Sequence, residues 1–364
     1  MDKQTYSIFA YFGGNIMAQK RLAWVDVTKG FLMILVVIGH YPGELDFPLI
    51  KYIYWFHMPA FFLLSGIFFK EMKDNESANP TIKKRFMQLM VPYVFFLFVI
   101  TTIRYSMELA TGNFDFSWYL QDFWKLVIAG RFARGAYGVF WFVTTLFFTY
   151  LLFLWMTKYL SRFKQIALLV IFYLVAHLES IFAMHVISGA PDKAAQTIPM
   201  LWNLDVVLMA IVYFALGYYA KSIWMHITTP WLLGSIFVAL SAINADKVGT
   251  LDYHLSMKFL RYDHLVLDLI IPLAFIIAIL GIFQRLTKLL PLEWLAQIEK
   301  HSISIMYLHI FTDIILNDYF HYGIIGFTTL GVSIPIIASI IIQKLIPYGK
   351  FFLGDVRAKK PIRI

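Results

Sequence analysis

What limits this chain most is the recurrence of apolar stretches near the thickness of a bilayer, broken by short segments that hold its charge. A spanning helix needs about 20 predominantly apolar residues. Such runs fall at 24–42, 49–69, 86–103, 138–157, 165–186, 203–221, 230–244, 263–283, 302–320 and 324–346. The expectation is an all-α polytopic membrane protein of about ten transmembrane helices, with no separate soluble domain. Composition agrees, with 60% of the 364 residues hydrophobic and 15% charged. Soluble domains average about 45–50% apolar and about 25% charged, so this chain has too little polar surface to coat a globule in water. The segment 117–130, SWYLQDFWKLVIAG, is amphipathic and too short to span. It reads as an interfacial or re-entrant helix.

The net charge of +9 would suggest nucleic acid in a soluble protein. Here the cations sit between apolar runs, where Lys and Arg set membrane orientation, so no nucleic-acid partner is expected. Lys20 and Arg21 precede the first run, Lys70 to Arg85 follow the second, and Lys158, Arg162 and Lys164 follow the fourth. Lys221 follows the sixth, Arg285, Lys288 and Lys300 the eighth, and Lys350 to Arg363 fill the tail. Alternate loops carry mixed charge, as in Glu44 with Asp46 and Asp192 with Lys193. This pattern places both termini in the cytosol and the protein in the plasma or inner membrane, with lipid as its surroundings. The division expected is a cytosolic segment 1–20, a membrane domain 21–346 and a basic cytosolic tail 347–364. No cleavable leader is visible before Gly14, and Met17 is an alternative start. With no cysteine, thiol nucleophiles, disulfides and iron–sulfur clusters are excluded.

Ionisable side chains inside a bilayer are costly and tend to be functional. Asp26, Lys29, His40 and His57 fall in the first hairpin. Lys29 and His40, eleven residues apart, share one helix face and lie roughly 16 Å apart along the axis. His57 enters from the outer side of the next run, so two imidazoles can face each other at similar depth. A cation low in the path can hold phosphate. A neutral imidazole above it can accept the proton of an attacking hydroxyl. Asp26, one turn below Lys29, can pair with it. Plainer readings stand beside these: Lys29 can snorkel, His40 can be an interfacial histidine, and His57 can satisfy a helix broken at Pro59.

Several segments add a resemblance. RLAWVDVTKGFLMILVVIGH (21–40), FHMPAFFLLSG (56–66), KKRFMQLMVPY (83–93), FWFV (140–143) and SISIMYLH (302–309) resemble, in order, the signatures of the acyltransferase 3 family of integral membrane acyltransferases, nearest its fucose 4-O-acetylase-like branch. The resemblance implies an O-acetyltransferase that moves an acetyl group from cytosolic acetyl-CoA to a hydroxyl of an extracytoplasmic polysaccharide or its lipid-linked sugar precursor. It makes His40 the essential histidine, with His57 as its catalytic companion. Lys29, Lys83, Lys84 and Arg85 become the donor-binding set, His309 either joins it or is a packed, satisfied histidine, and no metal is expected. Where the family more often has arginine this chain has Lys29, and lysine keeps the charge but loses the bidentate fork. Tyr137 stands where a serine is common, and no esterase-like domain follows.

Other residues have weaker assignments. Arg104, Arg131 and Arg134, with Trp118 and Tyr137, can grip an anionic glycan or lipid phosphate, or form a solvated loop face. His254, Asp263 and His264 cluster without matching a metal spacing. The competing function is a secondary transporter or flippase for a glycan-related substrate, which would also bury His, Lys and Asp. No inverted repeat supports it.

Overall fold

The computed structural model of the chain describes residues 22–43, 48–73, 76–112, 114–187, 200–262, 264–317 and 319–356. The segment through Arg21, Glu44 with Asp46, Asp192 with Lys193, Asp263, and the tail cations from Arg357 onward lie outside these residues. Among the described residues the regular elements are helical, apart from one antiparallel bridge between Ser256 and Arg261. The first half holds α1 (Ala23–Gly39), α2 (Ile50–Tyr54), α3 (His57–Ile67), α4 (Ala78–Ala110), α5 (Phe116–Ile128), α6 (Phe140–Tyr159) and α7 (Arg162–Ile181). The second holds α8 (Val207–Tyr219), α9 (Lys221–Met225), α10 (Thr229–Lys247), α11 (Leu267–Leu289), α12 (Glu293–Lys300), α13 (Ser302–Leu316), α14 (Ile324–Leu345) and α15 (Gly349–Phe352).

Among the described residues six stretches are long and apolar enough to cross a membrane: Ala78–Ala110, Gly135–Tyr159, Arg162–Met184, Leu201–Tyr219, Leu267–Leu289 and Ile324–Leu345. The chain is a multi-pass membrane protein. The remaining expected spans form helices that fall short in length or apolar content: α1 has 17 residues, α13 has 15, and α10 is 19 residues long but more polar. The apolar stretch 49–69 is broken into α2 and α3. Phe56 leaves helical geometry at φ −142°, and Pro59 sits in the first turn of α3, where its missing N–H deprives no carbonyl. The amphipathic 117–130 segment forms α5, started by Asp115, whose carboxylate accepts from the Ser117 amide at 2.9 Å. Phe116, Phe123 and Trp124 are exposed on it, as suits a helix lying against lipid.

The lipid-facing surface is plain in other elements. Phe98, Phe163, Phe237 and Ile325 are each 70% or more exposed, a pattern a water-soluble monomer rarely tolerates over so wide an area. Inside, helices approach without large side chains between them. A Cβ on Gly66 of α3 would lie 1.8 Å from the Phe214 carbonyl oxygen, and one on Gly217 of α8 would lie 2.0 Å from that of Leu63. The two glycines therefore form a reciprocal backbone contact, the small-residue packing typical of helices in lipid. Gly30 does the same for α1 against Leu295 of α12, at 1.9 Å. These contacts set the distance of α3 and α1 from their neighbours, and so the width of the space between them.

Gly66→Ala must push α3 from α8. Overpacking of this kind costs about 1–3 kcal/mol. Thermal unfolding of the purified variant in detergent is expected several degrees below the parent, and an unchanged melting curve would show that the helices have slack at this crossing.

Candidate active site

Near the end of α1, three imidazoles converge. His40 closes α1, His57 opens α3, and His309 sits within α13. The ring centroids of His40 and His309 are 5.0 Å apart. Tyr54 lies between His40 and His57, with centroid separations of 6.5 and 5.2 Å, and its hydroxyl donates to the Gly39 carbonyl. Each imidazole is anchored to the carbonyl four residues before it: His40 Nδ1 to Val36 at 2.8 Å, His57 Nδ1 to Ile53 at 2.7 Å, and His309 Nδ1 to Ile305 at 2.8 Å. A carbonyl only accepts, so Nδ1 carries the hydrogen and Nε2 keeps its lone pair in all three. His40 and His57 line a cavity of about 380 Å³ with Tyr54, Trp141, Phe142 and Lys258. His309 Nε2 is buried beside His40 and has no hydrogen-bond partner among the described residues.

The wall of this cavity is held by a buried ion pair. Arg131 and Asp205 form a salt bridge with side chains 0% and 2% exposed. Asn203 Oδ1 accepts from the Arg131 backbone amide at 2.8 Å and from its Nε at 3.3 Å. Asn203 Nδ2 then donates to the Lys258 carbonyl at 3.0 Å. Lys258 Nζ donates to the carbonyls of Ala133 and Gly138, at 2.9 Å each. Arg131 is thus a buried, paired cation and no solvated loop face, while its Nη1 has no hydrogen-bond partner among the described residues and the residue borders a second cavity. Arg104 is bound to Asp122 at 2.7 Å. Arg134 is exposed and lies where this cavity adjoins a second one of about 750 Å³, reached along α5 and lined by Arg104, Lys125 and Tyr137.

A third cavity, of about 810 Å³, opens at the other end of α1. Lys84, Lys300, His301, Ser302, Ser339 and Lys350 are among its lining residues, with Glu299 on its rim. Lys29 approaches Glu299 at 3.9 Å and stands 5.7 Å over the Phe68 ring, so its close carboxylate is on α12. Of the 83–85 cations, two stay together and Arg85 departs. Lys83 and Lys84 together line an adjoining apolar cavity with Phe351 and Phe352, and Lys84 also faces this one. Arg85 turns instead to Gln88 at 3.2 Å and stacks 4.6 Å from the centre of the Tyr150 ring. His309 lies with the other imidazoles at the opposite end. The first turn of α13 lines the third cavity through Ser302 and Ser304, while Met306 and Ile310 line the imidazole cavity. From Ser302 to Met306 is about 6 Å of helix.

His254 Nδ1 lies 3.2 Å from Asp252. Among the described residues no three His, Asp or Glu side chains are gathered to hold a metal. Sequence reasoning missed Tyr54, Lys258, His301, Ser339 and Lys350 as cavity residues. Lys258, a lone cation between Met257 and Phe259, was the one visible signal among them.

The profile of a known acyltransferase domain, acyltransferase 3, matches residues 22–344 of this chain. The chain belongs to that family. The matching model describes an acyltransferase domain, and the transporter and flippase reading does not account for that match. Two nodulation proteins are similar to part of this chain. NolL of Mesorhizobium japonicum is 28% identical over 155 residues, 40% of this chain and 38% of NolL. NolL of Sinorhizobium fredii is 30% identical over 161 residues, 41% of this chain and 39% of that protein. The matched stretch spans less than two fifths of either relative. No solved structure matches the acyltransferase.

Asp205→Ala would strand the Arg131 charge in the cavity wall, a loss of about 3–5 kcal/mol for a broken buried pair. The purified variant should melt well below the parent. Equal melting temperatures would mean that the wall does not depend on this pair.

Proposed function

We propose that the protein is an O-acetyltransferase that takes acetyl groups from cytosolic acetyl-CoA. Its acceptor is a hydroxyl of an extracytoplasmic glycan or lipid-linked sugar. The observation that carries the reading is the pair of cavities that meet successive stretches of α13, one at Ser302–Ser304 and the other at Met306 and Ile310, about one helical turn apart. One is polar and cationic. The other holds histidines with unshared Nε2 lone pairs among aromatic walls.

In this reading the α1 start faces the cytosol of the plasma or inner membrane, as the basic loops suggest. Both termini lie there, about ten helices cross or enter the bilayer, and residues 21–346 act as one domain. Lys84, Lys300 and Lys350 offer positive charge to the donor's phosphates, next to the N-terminal amides of α13. Lys83 flanks them, Arg85 supports the helix through Tyr150, and Lys29 adds charge while positioning Glu299. The acyl arm runs along α13, past His309, into the imidazole cavity. There His40 Nε2 accepts the proton of the sugar hydroxyl as its oxygen attacks the thioester carbon. The Val36 carbonyl holds the ring in the required tautomer. His57, held in the same tautomer by Ile53, orients the acceptor from the facing wall. Tyr54, Trp141 and Phe142 present flat surfaces with polar tips at Tyr54 and Trp141, suited to a sugar ring.

The test is the acetyl content of surface glycans in cells carrying the chain, no chain, or His40→Ala. Acetylation should appear with the parent and vanish with the variant at equal membrane levels. Identical content in all three would remove the proposal. Lys84→Ala should raise KM for acetyl-CoA about tenfold with kcat little changed, the loss expected of one charge-assisted contact. An unchanged KM would place the donor elsewhere.

A further inference from the structure

The imidazole cavity holds a cation that nothing above uses. Lys258 sits at the tip of a tight loop closed by paired backbone bonds, Ser256 N–H to the Arg261 carbonyl at 2.9 Å and Arg261 N–H to that of Ser256 at 3.0 Å. Leu260, at φ +53°, gives the loop its left-handed turn. Ser180 Oγ of α7 donates to the Leu260 carbonyl at 2.6 Å and accepts from the Tyr262 amide at 3.1 Å. With Asn203 bound to the Lys258 carbonyl, the loop is fastened at its tip and its base. Two of the three ammonium donors are spent on the Ala133 and Gly138 carbonyls. No carboxylate lies within 4 Å of this cation among the described residues, and its charged neighbour is another cation, Arg134.

A half-buried cation without a counter-charge is unfavourable in the free protein. The arrangement becomes favourable when negative charge develops in the cavity. Resting on the acetyl-transfer reading above, we propose that Lys258 is a catalytic residue that holds the oxyanion formed on the donor's carbonyl oxygen, opposite the His40 base. As the hydroxyl oxygen bonds to the thioester carbon, its proton passes to His40 Nε2 and the carbonyl π pair moves onto oxygen, toward the third Lys258 donor. The pair then returns, the C–S bond breaks, and the thiolate takes the proton from His40, leaving ester and CoA. A donor fixed before reaction and aimed at charge that forms only in the transition state lowers the barrier without reorganising.

The proposal has a signature in pH. Burial, with Arg134 beside it, lowers the Lys258 pKa from its ordinary value to about 7. The oxyanion needs the protonated form, so the rate should fall as pH rises through about 7. Other titratable or charged groups around the cavity are His40 on α1, Tyr54 on α2, His57 on α3 and Arg134, with Arg131, Asp205 and Glu179 behind Asn203.

The experiment uses the full chain in lipid nanodiscs and follows CoA release from acetyl-CoA with water as acceptor. A thiol reagent reads the product without background, since the chain has no cysteine. Lys258→Gln keeps donors for the two carbonyls and removes the charge. It should melt with the parent, keep KM for acetyl-CoA, and lose about 100-fold in rate. Lys258→Arg should recover much of that rate and lose the alkaline fall near pH 7. Where water is too poor an acceptor, surface-glycan acetylation at matched protein levels ranks the same variants by the same criteria. His40→Ala as active as the parent would count against the base and leave Lys258 standing. Lys258→Gln within threefold of the parent, or Lys258→Arg with an unmoved alkaline limb, would overturn the oxyanion role.

Discussion

A polar group buried away from water must find a partner within the protein, because hydrocarbon offers none. The architecture around the site follows from meeting that demand. The three imidazoles each give Nδ1–H to a carbonyl one turn back, Arg131 takes Asp205 and Asn203, and His177 takes Asp268 at 3.1 Å. Each such bond satisfies a group and also fixes its direction. For His40 and His57 the remaining lone pair is left to the cavity. The chemistry is thus a by-product of how the ring is held, and losing the carbonyl anchor would cost both tautomer and orientation.

Short helices shape the imidazole cavity. An unbroken helix through residues 49–69 would carry His57 on a continuous cylinder. The break at Trp55–Phe56 instead places it at a helix start, with Tyr54 turned in beside it. The loops entering the membrane region are tied by Asn203, Ser180 and Lys258 to backbone carbonyls or amides, so non-helical backbone is tolerated there because protein surrounds it. The glycine contacts at Gly30, Gly66 and Gly217 draw the helices close elsewhere. The cavity survives between them, lined by aromatics too large to collapse into it.

The amino-acid sequence alone determined that the chain is helical and membrane-embedded, since runs of some twenty apolar residues have no other favourable solvent. It also brought out His40, His57 and Lys29, because a charge or imidazole in an apolar run is visible without coordinates. The short amphipathic helix α5 was legible from its pattern. The number of crossings was less so, since hydropathy cannot tell a full span from a helix interrupted at Phe56.

Tertiary structure decided which of these groups meet. Periodicity fixes neighbours along one helix and says nothing of long-range partners. Lys29 was read beside Asp26, yet its close carboxylate is Glu299 on α12; Arg85 was grouped with Lys84, yet it turns to Tyr150. His309 was read within its span as a donor contact or a packed histidine, and the fold sets it 5.0 Å from His40. Arg131 looked like a loop cation until Asp205, seventy-four residues on, was found against it. Lys258 gained meaning only when the chain folded its loop onto Ala133 and Gly138. Those meetings depend on backbone approach and on satisfying polar groups in a dry interior, and both are properties of the packed bundle.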